Sequence, residues 1–326
     1  FYDKILSGKK ELSPRWKRAV ESVDGALGEV VGQLYVEKYF PVAAKQRMDT
    51  LVMNLKQAFA ERISNLTWMS KETKAKALDK LVSMRVKIGY PDKWTDYSSL
   101  CLKEDSYVAN VLRIGEFNFN KMLDKIGKPV DKAEWLMNPQ MVNAYYAPTM
   151  NEICFPAGIL QPPYFDMNAD DAVNYGAIGV VIGHEMTHGF DDQGRHYDKN
   201  GNLNDWWTSE DSEKFEQRAQ VLVDWFNGIE VLPGLHANGE LTLGENIADY
   251  GGLQIAFQAF RRVQEDKRLG VIDGFTPEQR FYLSYASLWA ANIRDESIRL
   301  LTQMDVHSLG RWRVNATLPH IDGWYQ

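Results

Sequence analysis

Two histidines and a glutamate at positions 184–188 have the residue types and spacing that metal-assisted hydrolysis requires. His184 and His188 are four positions apart, so on a helix their imidazoles leave the same face one turn apart. Two such imidazoles can bind one tetrahedral zinc ion, and Glu185 beside them could accept a proton from water. Two unrelated histidines on a helix are the alternative, since so short a motif also arises by chance. The apolar segment 177–183 favours a metal, because buried imidazoles need a partner.

A site of this kind needs a third protein ligand, and Glu245 is the best candidate in the sequence. Asp249 follows it by four positions, which places two carboxylates on one helix face. One could bind the metal while the other accepts the second N–H of a ligating histidine. Asp191, three residues after His188, could serve the other histidine in the same way. The alternatives are ordinary: Thr242 and Glu245 also fit a helix capping box, and Asp191 fits a turn.

The elements that must position these residues are predicted to be mainly helical in the first part of the chain. Apolar residues recur at helical spacing over residues 14–40, 45–63 and 71–88. Ser13 and Pro14 have the types expected of a helix N-cap and a first helical residue. Residues 91–105, rich in Asp, Ser, Lys and Tyr, are predicted to form a linker.

The second part of the chain is predicted to combine a hairpin with further helices. Residues 142–146 and 152–155 are short aromatic or β-branched runs separated by a turn sequence, which predicts two neighbouring strands. The predicted helices cover residues 170–188, begin at Thr208 or Ser209, run from Thr242 to about Gln264, and begin at Thr276, where a capping box is expected.

Composition excludes several classes of protein. The 326 residues are 44% hydrophobic and 25% charged, unlike a disordered or collagen-like chain. The formal charge of −7 does not fit a nucleic-acid partner. Two cysteines, Cys101 and Cys154, exclude a disulfide scaffold and a cysteine-rich zinc finger. No apolar run approaches the roughly 18 residues of a membrane span. The chain opens at Phe1 with no methionine or signal peptide, so we expect a piece of a longer protein.

Several segments together resemble the neprilysin and endothelin-converting-enzyme family of zinc endopeptidases, whose bacterial members are PepO-like. The resemblance rests on residues 184–188, 244–249, 142–146 and 155–163, and on a C-terminal signature that runs from Val306 to Arg313. It extends along essentially the whole chain. The disulfide cysteines of vertebrate members and the family's N-terminal half are missing, which implies a bacterial-type member represented by its C-terminal half.

The resemblance implies an α+β, mainly helical fold. Residues 96–326 would form a gluzincin-type, thermolysin-like catalytic domain with a helix carrying the HExxH motif and a small edge-strand sheet. Residues 1–95 would be a helical segment, part of a second, all-helical domain that covers the active site.

The resemblance also implies a role for each candidate site residue. One zinc ion per chain would be bound by His184, His188 and Glu245. Glu185 would be the general base, with Asp191 and Asp249 holding the histidines and Asp249 also counted in the catalytic set. Four further residues would act on the substrate: His307 on the oxyanion, Arg313 on a carbonyl, and Asn143 and Ala144 as an edge-strand template. Taken alone, His307 and Arg313 would be unremarkable surface residues.

An apolar pocket is expected just after the scissile bond. By resemblance it would be lined by Ile159, Tyr164, Val180, Val181, Leu288 and Trp289. Such a pocket predicts a zinc endopeptidase that cleaves short peptides on the amino side of hydrophobic residues, because a charged side chain would enter it unpaired. Val180 could equally be an ordinary core residue.

Two other functions stay open at the level of the sequence. The first is an inactive peptide-binding domain, against which the retained base and ligands argue. The second is a zinc hydrolase acting on a non-peptide amide or ester, against which the segment Asn143–Ala144 argues, since an edge strand suits an extended peptide. The expected partners are a peptide substrate and the missing N-terminal half. The expected location is extracytoplasmic, whether periplasmic, secreted or anchored at the cell surface.

Overall fold

Helices form most of the regular structure in the computed structural model, which describes residues 1–325. The α-helices are α1 (Arg15–Ala26), α2 (Gly28–Tyr39), α3 (Val42–Asn65), α4 (Lys71–Ser83), α5 (Tyr107–Leu123), α6 (Asp171–Asn174), α7 (Val180–His188), α8 (Ser209–Asn227), α9 (Leu243–Lys267), α10 (Pro277–Leu288), α11 (Asp295–Met304) and α12 (Gly310–Asn315). Within residues 1–325, no helix combines the length and apolarity needed to cross a membrane.

A three-stranded sheet of β1 (Arg85–Gly89), β2 (Tyr145–Ala147) and β3 (Glu152–Pro156) lies beside α7. Its order is β1-β3-β2, with β1 parallel and β2 antiparallel to β3. The predicted hairpin is therefore confirmed, and β2 is an edge strand. Two short strands, β4 (Glu230–Leu232) and β5 (Leu235–His236), form a separate hairpin.

The first predicted helices need correction. The helix predicted over residues 14–40 is two helices, because the backbone at Leu27 leaves the helical region with φ −131° and ψ 40°. Pro14 is the N-cap of α1 and not its first helical residue. The helix predicted over residues 45–63 is confirmed and extends from 42 to 65. Helix α5 lies in a segment for which the sequence predicted no element.

The helix predicted over residues 71–88 is wrong beyond Ser83, where α4 ends and β1 follows. The physical reason is strand pairing with a distant segment. Val86 and Ile88 carry β-branched side chains that suit a pleated strand, and they pair in parallel register with residues of β3. The local sequence does not predict this pairing, because the two strands are far apart in the chain: Arg85 pairs with Glu152, 67 positions away.

The helix predicted over residues 170–188 is confirmed as a continuous helical run. It begins where the Asp170 side chain accepts a hydrogen bond from the Val173 N–H, and it contains a π-helical turn between α6 and α7. Helix α8 begins at Ser209 with Thr208 as its N-cap, and the capping box at Thr276 is formed, so both predictions are confirmed. By contrast, Thr242 makes no side-chain cap bond to α9. Its hydroxyl donates to the Asn238 carbonyl, so the capping-box alternative for Glu245 is not formed.

One hydrophobic core joins helices from both ends of the chain. Met48 and Leu55 of α3 are fully buried in the same cluster as Ile182 of α7 and Leu253 of α9. Strands β1 and β3 also contribute to this cluster. Helix α3 therefore supports the histidine-bearing helix directly. A boundary between domains near residue 95 stays a prediction.

Helices α7 and α9 pack with their backbones in contact. A Cβ atom added to Gly252 would lie 2.6 Å from the Val180 carbonyl oxygen and 2.7 Å from the His184 nitrogen. A Cβ on Gly183 would lie 2.9 Å from the Gly252 Cα. Side chains cannot be accommodated there, so glycine at both positions lets the two helices approach closely. This approach sets the distance between residues on the two helices.

We expect Gly252→Ala to destabilise the protein by about 1–3 kcal/mol, the usual cost of overpacking a rigid site. The measurement is the free energy of unfolding of the metal-free, full-length protein by chemical denaturation. Gly115→Ala is the matched control, because that glycine lies within α5 with open space around it. The control should be neutral or stabilising by about 0.5–1 kcal/mol. Equal stability of Gly252→Ala and wild type would contradict the close-contact interpretation.

Candidate metal centre

Three side chains from two helices bring their donor atoms together. His184 and His188 lie one turn apart on α7, and their Nε2 atoms are 3.0 Å apart. Glu245, in the first turn of α9, places Oε2 3.1 Å from the Nε2 atom of His184 and Oε1 3.5 Å from that of His188. The three residues form a group that could hold a metal ion. The i, i+4 spacing and the distant glutamate thus meet as the sequence predicted.

Each histidine is oriented by a carboxylate on its other nitrogen. The Nδ1 atom of His184 is 2.8 Å from Asp249 Oδ1, and that of His188 is 2.6 Å from Asp191 Oδ2. An ionised carboxylate only accepts hydrogen bonds, so each Nδ1 is the donor. In a neutral imidazole this leaves Nε2 without a hydrogen, so its lone pair can bind a metal ion.

The residues present fit a zinc ion. Tetrahedral zinc with bonds of about 2.0–2.1 Å requires neighbouring ligand atoms about 3.3 Å apart. The two Nε2 atoms are 3.0 Å apart, and the nearby Glu245 oxygens lie 3.1 Å from one and 3.5 Å from the other. Two imidazole lone pairs and a carboxylate facing one another repel unless a cation lies between them. Oε2 of Glu245 is buried without a hydrogen bond of acceptable geometry within residues 1–325. Burial opposes ionisation of Glu245, but when the Nε2 atoms of the two histidines carry protons instead of binding a metal, their hydrogen bonds and charge lower the pKa of the Glu245 carboxyl.

Glu185 carries the only carboxylate of the motif 184–188, and this carboxylate lacks a fixed partner among the described residues. It is 7% exposed and makes no side-chain hydrogen bond in the described part of the chain. Burial raises the pKa of its carboxyl. A buried carboxylate with raised proton affinity and no fixed partner is suited to taking up a proton and passing it on.

Arg313 lies behind the metal-binding group rather than on the surface. Its Nε and Nη2 atoms donate to Asp249 at 2.7 and 2.5 Å, and its guanidinium lies 3.9 Å from the centre of the Trp289 ring. Burial opposes the effect, but the charge of Arg313 lowers the pKa of the Asp249 carboxyl. The arginine therefore keeps Asp249 ionised and able to hold His184. A role in binding a substrate carbonyl stays a prediction.

His307 lies beside the metal-binding group on its solvent side. Its Nε2 atom is 3.3 Å from Glu245 Oε2, and its Nδ1 atom is 2.8 Å from Asp305 Oδ1. The side chain is 46% exposed, unlike those of His184 and His188. An accessible imidazole next to the site can reach a bound substrate. Its action on an oxyanion stays a prediction.

Asn143 and Ala144 directly precede the edge strand β2. Asn143 is exposed and its side-chain oxygen accepts the Ala144 N–H, whereas Ala144 is buried. The outer edge of β2 has no strand partner within residues 1–325. An unpaired edge next to α7 could add an extended peptide as a further strand.

The predicted pocket residues share their surroundings with the core. Ile159 and Val180 are 4% and 2% exposed and belong to the main hydrophobic cluster. Tyr164, Val181 and Trp289 are partly buried against that cluster, and Leu288 is also partly buried. This agrees with the alternative that Val180 is a core residue. The substrate-binding role of the set stays a prediction.

A cavity of about 1290 Å³ lies elsewhere in the protein. It is lined by residues between Glu29 and Trp135, among them Tyr90, Trp94 and Phe117. None of the predicted site residues lines it. The cavity is therefore separate from the metal-binding group.

Sequence reasoning missed two buried polar residues that join the His307 loop to α9. Ser308 donates to the side-chain oxygen of Asn246 at 2.7 Å, and the Asn246 amide donates to Thr242 at 2.9 Å. The bond between Ser308 and Asn246 connects the residue after His307 to the residue after Glu245. The only signal available in the sequence was an asparagine immediately after the ligand candidate Glu245.

The match to family models covers most of the chain. A model described as peptidase family M13 matches residues 143–326, and a second model of the same family matches residues 1–91. These matches confirm the resemblance found in the sequence. They also support the expected mainly helical, gluzincin-type, thermolysin-like fold.

Similar proteins come from animals and bacteria. The chain is 37% identical to Neprilysin-3 of Drosophila melanogaster over 98% of its own length and 42% of that protein. It is 38% identical to neprilysin of Homo sapiens over 97% of its own length and 44% of that protein. The chain thus spans less than half the length of these relatives.

Solved structures agree closely with this fold. The inhibitor complex of the zinc metalloprotease Zmp1 from Mycobacterium tuberculosis matches all of the chain with a TM-score of 0.96 and 45% identity. PepO from Lactobacillus rhamnosis matches 99% of it with a TM-score of 0.90 and 35% identity. In each case the chain covers 50% of the solved protein.

We expect zinc to raise the melting temperature of the metal-free protein and His188→Ala to abolish that rise. A ligand that binds only the folded state at 100 times its Kd adds about 2.7 kcal/mol of stability. His236→Ala is the control, since that histidine is exposed on β5, and it should keep the full rise. Calorimetry with and without zinc provides the measurement. Undiminished stabilisation of His188→Ala by zinc would remove this histidine from the ligand set.

Proposed function

The chain belongs to peptidase family M13, and we propose that it forms the metal-binding part of a zinc endopeptidase. The observation that carries the proposal is the convergence of His184, His188 and Glu245 beside the unengaged carboxylate of Glu185. A structural zinc site is normally closed by four protein ligands, whereas a catalytic site keeps one position open. Three ligands and a neighbouring base match the catalytic case.

One zinc ion per chain would be held by the two histidines and Glu245. Bound there, zinc acts as a Lewis acid that acidifies water and polarises a carbonyl. Glu185 takes the proton of the attacking water and delivers it to the nitrogen of the leaving amine. The raised pKa of its carboxyl suits both steps, because a base with moderate proton affinity also returns the proton.

His307 would stabilise the charge that develops on the substrate carbonyl oxygen. Its exposed ring beside Glu245 supports this role, and the contact of its Nδ1 atom with Asp305 orients the ring. Arg313 would add a donor for a substrate carbonyl through its remaining nitrogen, since its Nε and Nη2 atoms already bind Asp249. Asp249 would contribute to catalysis by orienting His184.

The substrate would be an extended peptide. The unpaired edge of β2, with Asn143 and Ala144 immediately before it, offers backbone groups that pair with a peptide strand. This feature favours a peptidase over a hydrolase of small amides or esters. The complete set of ligands with a free base favours an active enzyme over an inactive peptide-binding domain.

The remaining half of the protein would complete the substrate chamber. Residues 1–95 would belong in part to a helical domain that covers the site and limits substrates to short peptides. The proposed location of the protein is extracytoplasmic, where short peptide substrates occur.

We expect Glu185→Gln to keep its zinc and to lose nearly all peptide cleavage. The amide has almost the shape of the carboxylate but cannot accept a proton from water. Zinc content by atomic absorption and cleavage of a mixed peptide library are measured on the same preparation of full-length protein. Turnover near the wild-type rate would show that Glu185 is not the base. Loss of zinc would point to a role in the metal site instead.

We expect cleavage before large hydrophobic residues. The pocket proposed for the residue after the cut is formed by Ile159, Tyr164, Val180, Val181, Leu288 and Trp289. Burying a Phe or Leu side chain there contributes about 1.5–3 kcal/mol, and discrimination between the two should be modest. Sequencing the products of a peptide library tests this, with Glu185→Gln as the control for contaminating peptidases. A preference for charged residues after the cut would overturn the pocket assignment alone.

A further inference from the structure

Lys80, near the end of α4, is a fully buried lysine. It is 1% exposed, and its Nζ atom donates to three backbone carbonyls: Gly189 at 2.6 Å, Gly194 at 2.8 Å and Tyr197 at 2.6 Å. An ammonium group has three hydrogens, so each one has an acceptor. The lysine therefore ties three points of one short segment to α4.

No carboxylate neutralises this lysine by direct contact within residues 1–325. Its charge is instead surrounded by the rings of Tyr146, Phe190 and Trp206, with centres 5.4–5.9 Å from Nζ. Burial lowers the pKa of Lys80 to about 8. Burying an ammonium is costly, and an apolar side chain would fill the same space at lower cost. The three hydrogen bonds are the feature that an apolar side chain could not supply.

The bonded segment, residues 189–197, follows the metal-binding helix without a break. Gly189 is the C-cap of α7, where helix carbonyls lack partners within the helix and attract a cation. Lys80 therefore donates a hydrogen bond to a carbonyl at the C-terminal end of α7, the helix that carries His184 and His188.

The same segment holds Asp191 in place. Asp191 Oδ1 accepts the N–H groups of Gln193 and Gly194 at 2.9 and 2.6 Å, while Oδ2 accepts Nδ1 of His188. Gly194 thus donates to Asp191 through its nitrogen and accepts from Lys80 through its oxygen. The turn is also tight, since a Cβ on Gly194 would lie 1.7 Å from the His188 carbonyl oxygen.

We infer that Lys80 is a positioning residue for the metal centre. It fixes the turn 189–194, the turn fixes Asp191, and Asp191 keeps Nε2 of His188 directed at the metal position. The inference rests on the proposed function only in taking His188 as a metal ligand.

The test is zinc affinity of Lys80→Met in the full-length protein, measured by competition with a chromogenic chelator. Loss of a group that supports a ligand typically weakens metal binding by about 10–100-fold, and we expect a loss in that range. The direction of the change in zinc affinity separates two explanations. If the lysine acted only through its positive charge, its removal would strengthen zinc binding, because like charges repel.

Two comparisons separate positioning from general stability. Lys56→Met is the matched control, because Lys56 donates to a single carbonyl, that of Met84, outside the segment 189–197; its zinc affinity should equal that of wild type. In the Asp191→Asn background, Lys80→Met should cause little further loss, since both act along one path. Additive losses, or unchanged affinity in a folded Lys80→Met protein, would overturn the inference.

The variants also distinguish this inference from the proposed function. If Lys80→Met does not fold, Lys80→Gln replaces it, with the same controls. The neutral amide keeps two donors, so a smaller loss of zinc affinity in the same direction is expected. A wild-type protein that binds no zinc would sink both proposals. A wild-type protein that binds zinc but cleaves no peptide would sink the endopeptidase alone.

Discussion

The backbone contact between α7 and α9 is the constraint on which the site depends. Gly183 and Gly252 let the two helices meet without intervening side chains. At that distance a ligand from the first turn of α9 reaches the two histidines of α7, and Asp249, one turn further on, reaches the far side of His184. A wider separation would leave three polar groups buried and apart, which is costly. Because residues on a helix have fixed spacing, this one contact between α7 and α9 sets the distances from Glu245 and Asp249 to the histidines.

Charge compensation explains how so many ionisable groups can be buried together. Asp249 is paired with Arg313, and Asp191 with the backbone N–H groups of a tight turn. The two carboxylates fix both histidines, and the lone pairs that remain face one point. Within residues 1–325, two carboxylates of the site are left without such a partner, those of Glu245 and Glu185. A bound cation would neutralise Glu245, whereas Glu185 stays free to take up a proton.

The site has a rigid side and an accessible side. Arg313, Asp249, Asp191 and Lys80 lie behind the histidines and are buried. His307 lies on the solvent side, and the unpaired edge of β2 lies on the sheet that packs beside α7. Hydrogen bonds hold the first group, whereas the second keeps groups available for a ligand. This division suits a centre whose metal must stay fixed while substrates exchange.

The sequence by itself determined the elements and residues whose signals are local. The spacing of His184 and His188, the carboxylate pair at Glu245 and Asp249, the hairpin and the capping box at Thr276 all follow from helix and turn geometry over a few residues. They were predicted correctly because local geometry needs no knowledge of distant segments. The roles of the site residues in chemistry were inferred from the resemblance.

Only the tertiary structure decided which distant groups meet. Strand β1 was taken for the end of a helix, because its identity comes from parallel pairing with β3, far along the chain. Lys80 has no local feature in the sequence that sets it apart, and its burial depends on carbonyls more than a hundred positions away. The resemblance gave Arg313 a role toward the substrate, and only the structure shows that two of its nitrogens are bound to Asp249. Such contacts arise from packing between helices and strands, and packing has no local signature in the sequence.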